Sequence, residues 1–141
     1  MMLIIVINSF LVATAILIHF EVLNLMSSII PKLPVQRRLR ILFGIFGALV
    51  AHVLEIWLFA FGYFLMIPTE KFGVLLGNFD NSLLDCAYFS FTCYTSLGFG
   101  DIQPMGNLRF LSGLEALTGL VLIAWTSSFM FIEMQKLWKQ Q

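Results

Sequence analysis

Residues 95–101 read Thr-Ser-Leu-Gly-Phe-Gly-Asp and stand between a short aromatic-rich stretch and a long apolar one. The pattern suits one task, the handling of a cation stripped of water. Such a cation needs a column of oxygens in place of its hydration shell, and backbone carbonyls can supply it. Successive carbonyls face one lumen only where the backbone alternates between ordinary and left-handed dihedrals. Glycine reaches the left-handed values without steric cost, and Gly98 and Gly100 fall where such a loop needs them.

The elements that must hold this loop are membrane helices. The 141 residues are 60% hydrophobic and only 11% charged, with mean hydropathy +0.93, which excludes an ordinary soluble domain. A formal net charge of zero gives no electrostatic support to a nucleic-acid partner; the lipid bilayer is the expected one. Met2 to Met26, Ile41 to Ile67 and Leu108 to Met134 each exceed the roughly 20 residues needed to cross about 30 Å of hydrocarbon. The first lacks a basic leader region and a small-residue cleavage site, and is expected to be a retained helix. Leu83 to Tyr94 is too short to span and reads as a re-entrant segment, tolerated only inside protein or beside water. Ser82 followed by Asp85 marks its start with a capping-box-like pair. Its carboxyl end would then point at the loop, where the partial negative charge favours a cation.

Basic residues set the expected orientation. Lys32, Arg37, Arg38, Arg40, Lys136 and Lys139 are six of the eight Lys and Arg, so segment 31–40 and the tail should be cytoplasmic. Three crossings place the amino terminus outside, the carboxyl terminus in the cytoplasm and segment 68–107 facing out. Trp138 beside Lys139 reads as an inner-interface anchor, and Trp57 and Trp125 as packing or interfacial residues. Cys86 and Cys93 lie two helical turns apart, roughly 10 Å, too far for a disulfide, and read as packing residues.

These features resemble the pore module of the potassium-channel superfamily, whose loop usually reads Thr-Val-Gly-Tyr-Gly-Asp. The resemblance covers residues 41–134 and is strongest to short bacterial channels with one pore loop per chain; the helix before it is additional. It implies an all-α membrane protein, three transmembrane helices plus a re-entrant pore helix and filter loop, in a four-fold homotetramer, since one loop cannot close a ring. The chain then divides into an N-terminal helix (1–30), a basic loop (31–40), the pore module (41–134) and a short cytoplasmic tail (135–141). Within the module lie an outer helix (41–67), pore helix (82–95), filter (96–100) and inner helix (108–134). The expected location is the plasma (inner) membrane. Carried over by position, Ser96, Leu97, Gly98, Phe99 and Gly100 form the filter, with K+ held at Ser96, Leu97, Gly98 and Phe99 and the Ser96 hydroxyl serving the innermost site. K+ is the permeant ion and no cofactor is implied. Tyr88 and Phe89 align with a pair of tryptophans that cuff the filter, and Tyr88, Thr92 and Asp101 are the filter-support positions. Arg109 matches an Arg at the inner-helix start. Gly119 meets a hinge glycine, although close packing is an equal reading of a glycine there.

Ionisable residues inside helices are the remaining candidates for function, because burying them in a membrane is costly. Counting 1.5 Å per residue, Glu115 lies roughly 9 Å below Arg109, while His52 and Glu55 lie about 18 and 22 Å above Arg40. This places them in one layer and predicts a contact between His52 and Glu115, with Glu55 nearby. The alternative is a protonated Glu115 bonded to a pore-helix hydroxyl such as Thr92. His19 and Glu21 come late in the first helix and are expected near the cytoplasmic surface, snorkelling or paired with Arg37, Arg38 or Arg40.

No arginine recurs at every third position of the first helix, so a voltage sensor of the usual kind is not expected. Gating at the filter, by lipid, by pH through His52 or by a separate regulatory subunit remains open. Two other functions compete with a potassium-selective channel: a weakly selective monovalent cation channel, which Leu97 and Phe99 permit, and a non-conducting membrane subunit. No arrangement of residues for an intramembrane enzyme is visible.

Overall fold

The computed structural model describes residues 2–69 and 71–138, apart from the side chains of Arg37 and Leu137. Residues 139–141 therefore lie outside the described residues, as does any pairing of the Arg37 side chain, while residues 135–138 of the expected tail continue the last helix. Helix α1 (Met2–Ile29) is followed by a 3-10 turn (Ile30–Lys32) and helix α2 (Arg37–Met66), then a second 3-10 turn (Ile67–Thr69). Strand β1 (Leu75–Gly77), helix α3 (Leu83–Tyr94), strand β2 (Ile102–Pro104) and helix α4 (Leu108–Trp138) complete the order.

Proline sets both helix-to-turn changes. α1 ends just before Ile30-Pro31 and α2 just before Ile67-Pro68, because proline has no N–H to continue the α-helical ladder and its ring crowds the carbonyl four residues back. Nothing after Pro34 breaks the chain, so α2 begins at Arg37. Arg37, Arg38 and Arg40 thus stand on its first turn, and only Lys32 of the four basic residues expected in a loop precedes the helix. The Arg40 Nη2 donates to the Leu33 carbonyl (2.9 Å) and ties the turn to the helix.

Three segments, Met2–Lys32, Arg38–Thr69 and Leu108–Lys136, are long and apolar enough to cross a membrane. Only 22%, 28% and 22% of their most apolar windows are buried within the chain. Most of each apolar surface therefore faces outward, the arrangement expected where hydrocarbon or further protein replaces water. The 12-residue α3 is about 18 Å long, too short to span.

α1 and α4 both run antiparallel to α2, as their contacts show. Leu11 meets Gly62, and Met26 meets Gly47, across α1 and α2. Tyr63 meets Glu115, and His52 meets Thr126, across α2 and α4. The main core joins Phe59 and Tyr63 of α2, Phe89 and Cys86 of α3, and Leu108, Leu111 and Leu122 of α4. A smaller cluster of Leu23, Met26, Ile30 and Ala48 closes the other end. Tyr63 packs edge-on to Phe89 at 5.0 Å between ring centroids. β1 and β2 pair antiparallel, Leu75 opposite Pro104 and Gly77 opposite Ile102; the sequence pattern gave no sign of this ribbon.

Candidate functional site

The loop after α3 begins from a well-capped helix. The Ser82 hydroxyl accepts from the Asp85 amide (3.0 Å), and the Asp85 carboxylate accepts from the Asp80 amide (2.7 Å). The first satisfies an amide donor that the helix start leaves free, and the second fastens the preceding loop to the first turn. At the other end the Thr95 amide donates to the Phe91 carbonyl and Ser96 to Cys93. The Gly98 amide then reaches back to the Thr92 carbonyl (3.1 Å).

From there the backbone alternates. φ is +57° at Ser96, +51° at Gly98 and +82° at Gly100, so every second residue is left-handed. Gly98 and Gly100 adopt this freely; Ser96 does so against the usual preference of a residue with a side chain. Leu97 and Phe99, between them, are 58% and 66% exposed.

The far end of the loop is fixed by hydrogen bonds on both faces. The Tyr88 hydroxyl donates to the Asp101 Oδ2 (2.8 Å), and the Asp101 carbonyl accepts from the Asn78 amide (3.0 Å). That carboxylate also holds the Tyr88 phenol above its ordinary pKa, so the hydroxyl stays a donor at neutral pH. Beyond it, β2 pairs with β1, the Met105 amide donates to Val74 (2.8 Å) and the Leu108 amide to Phe72 (3.0 Å). The loop is thus suspended between α3 and a short ribbon. Thr92 is buried, with its hydroxyl donating to the Phe89 carbonyl of its own helix (2.8 Å).

Gly119 is a point of close approach. A Cβ built there would stand 2.1 Å from the Tyr94 carbonyl oxygen, so the end of α3 touches α4 only because the side chain is absent. α4 runs unbroken through it.

The predicted contact between His52 and Glu115 is absent. Glu115 is fully buried and accepts from the Tyr63 hydroxyl (2.6 Å), while Ser90 of α3 meets its other oxygen. Thr92 does not take part. The Ser90 hydroxyl also reaches the Ile56 carbonyl (2.8 Å). Having a single proton, it can donate to only one of the two at a time. The depth count failed because α2 has 30 residues, about 45 Å, and overshoots a 30 Å core at both ends. In the true register Glu115 faces Tyr63, 11 residues and about 16 Å beyond His52.

His52 belongs to a second buried group. Its Nδ1 lies 3.2 Å from Glu55 Oε2 and 2.9 Å from the Tyr94 hydroxyl. The Tyr94 hydroxyl also donates to Glu55. His19, expected near the cytoplasmic surface, is fully buried with its Nδ1 2.8 Å from Glu55 Oε1. Antiparallel packing sets residue 19 against residue 55, at mid-height, and removes His19 from Arg38 and Arg40. Glu21, two residues on, is exposed. Tyr63, Ser90, Tyr94 and Thr126 were not singled out from the sequence. An antiparallel register between neighbouring helices, counted from their connecting turns, is the signal that leads to them.

A family model described as an ion channel matches residues 41–136. That is most of the chain, and the protein belongs to this family, a pore module of the potassium-channel superfamily. It is therefore a multi-pass membrane protein and a channel rather than an enzyme. No curated protein and no solved structure matches the chain.

Proposed function

We propose that the chain is the subunit of a potassium-selective channel, in which four copies surround an axis lined by the carbonyl oxygens of residues 96–100. The observation that carries this reading is the left-handed backbone at Ser96, Gly98 and Gly100. Such alternation turns successive carbonyls to one side, as a column of cation sites requires. α3 ends at this loop and directs its partial negative charge there. Tyr94, in its last turn, packs against mid-helix residues of α2 and α4, which fits a re-entrant position. Bare Leu97 and Phe99 gain partners when neighbouring subunits close the ring. Tyr88 and Asp101 act as a brace behind the loop. K+ is the permeant ion, and the conduction pathway needs no cofactor. The membrane is the plasma (inner) membrane, with the basic turn 31–40 and the tail in the cytoplasm.

A weakly selective cation pore is the second reading, favoured by Phe99. Its ring has no hydroxyl with which to brace the loop, and a less rigid cage discriminates less between ions. Purified protein in liposomes separates the readings. The selective channel carries potassium flux that barium blocks and that Gly98→Ala abolishes, since φ of +51° strains any residue with a Cβ. Equal sodium flux would establish the weakly selective pore instead. No flux of either ion would leave a non-conducting subunit.

A further inference from the structure

The sequence contains two histidines, one on α1 and one on α2, 33 positions apart, and both meet the same carboxylate. His19 Nδ1 lies 2.8 Å from Glu55 Oε1 and His52 Nδ1 3.2 Å from Glu55 Oε2. One ligand atom from each of the three residues lies within 4.8 Å of the other two. The Tyr94 hydroxyl, on Glu55 and 2.9 Å from His52 Nδ1, adds a fourth oxygen. We propose that His19, His52 and Glu55 form a binding site for a divalent transition-metal ion of the zinc type, with Tyr94 completing the coordination.

Ligand chemistry and spacing both favour this. Two imidazoles and a carboxylate are a recurrent zinc donor set, and ligands 2.0–2.1 Å from a tetrahedral ion stand roughly 3.3 Å apart. The 2.8 and 3.2 Å separations need little adjustment to admit an ion. The outer contacts are those of ligating histidines. His19 Nε2 and His52 Nε2 both meet Thr126 Oγ1, at 3.2 and 3.1 Å. A histidine bound to metal through one nitrogen normally donates its other N–H to a fixed partner, which orients the ring. Two neutral rings ligating through Nδ1 would place their two Nε2–H donors on the two lone pairs of that one oxygen. Trp125 covers His19 with ring centroids 5.3 Å apart, shielding the site on the α4 side.

The His52 side chain is 15% exposed and borders a largely apolar cavity of about 320 Å³ between α2, Phe91, Thr95 and Ile123. When bound, the ion ties α1 to α2 and, through Tyr94, to the residue directly before Thr95 and the filter. The helix outside the pore module thereby gains a fixed link to the base of the filter. Binding at this site does not depend on conduction.

The test is metal titration of the full chain, freed of any histidine tag, in detergent or lipid nanodiscs. Zn2+ should bind by calorimetry at one ion per chain, and Co2+ should give the visible absorption of a tetrahedral nitrogen–oxygen site. His19→Gln and Glu55→Gln should abolish both signals. Thr126→Val, which removes only the orienting hydroxyl, should weaken binding about 10- to 100-fold. Glu21→Gln, on the exposed face of α1, should change nothing. If the ligand variants fail to fold, the wild-type titration decides alone. No saturable binding to wild type would mean a purely hydrogen-bonded junction and would overturn the proposal. Binding that survives in folded His19→Gln and Glu55→Gln would overturn it as well.

Discussion

Adding one methyl group at Gly119 distinguishes a packing glycine from a hinge. The Cβ would lie 2.1 Å from the Tyr94 carbonyl oxygen and 3.0 Å from Tyr94 Cδ1. Restoring an ordinary contact of about 3.4 Å moves the end of α3 away from α4 by about 1.3 Å. The clash is with backbone, so no side-chain rotation relieves it. Overpacking of this kind costs about 1–3 kcal/mol, against about 0.8–1.0 kcal/mol gained by Ala over Gly in a helix. The shift also loosens Tyr94 from Glu55 and His52, so Gly119→Ala should lose about 1–2 kcal/mol net. Gly113 on the same helix has nothing within 4 Å of its added Cβ, and Gly113→Ala should be neutral or gain up to about 1 kcal/mol. Denaturant unfolding of the two variants in one detergent gives the comparison, with flux measured on the same preparations. Gly119→Ala as stable as Gly113→Ala would refute the packing role. Altered flux with unchanged stability would point to a hinge.

Removing the Tyr88 hydroxyl by Tyr88→Phe should speed loss of conduction during sustained opening, because Asp101 loses its α3 donor; an open lifetime equal to wild type would reduce Tyr88 to packing. Tyr63→Phe and Glu115→Gln should be coupled by about 0.5–3 kcal/mol in a double-mutant cycle, since the two side chains share a buried hydrogen bond. His52→Gln and Glu115→Gln should instead be additive within about 0.5 kcal/mol, and coupling between them would contradict the register derived from Tyr63 and Thr126.

The parts of the fold that were legible are those fixed by local chemistry. Three apolar runs announced three long helices, Ser82 announced the start of α3, and the glycine spacing anticipated a loop with left-handed positions at 98 and 100. Ser96 was not expected to be left-handed, because a serine carries no signal of φ; its neighbours impose it. The paired strands escaped notice because three-residue ribbons such as Leu75–Gly77 have too short a pattern to read. The buried polar groups were recognised as important, but their partners were misassigned. Pairing across helices depends on register, and register depends on where each helix begins. An assumed core of about 30 Å, which the helices overshoot at both ends, moved His52 onto Glu115 and left His19 at the surface. Once Leu11 is seen against Gly62 and Met26 against Gly47, His19 falls opposite the turn of α2 that carries Glu55.

Conduction of potassium through residues 96–100 is tested most directly by the reversal potential of the reconstituted channel with potassium on one side of a planar bilayer and sodium on the other. A selective carbonyl column predicts a reversal displaced toward the potassium equilibrium by well over about 59 mV, the value for a tenfold preference of a monovalent ion. A reversal close to zero, from a current that Gly98→Ala still abolishes, would contradict it.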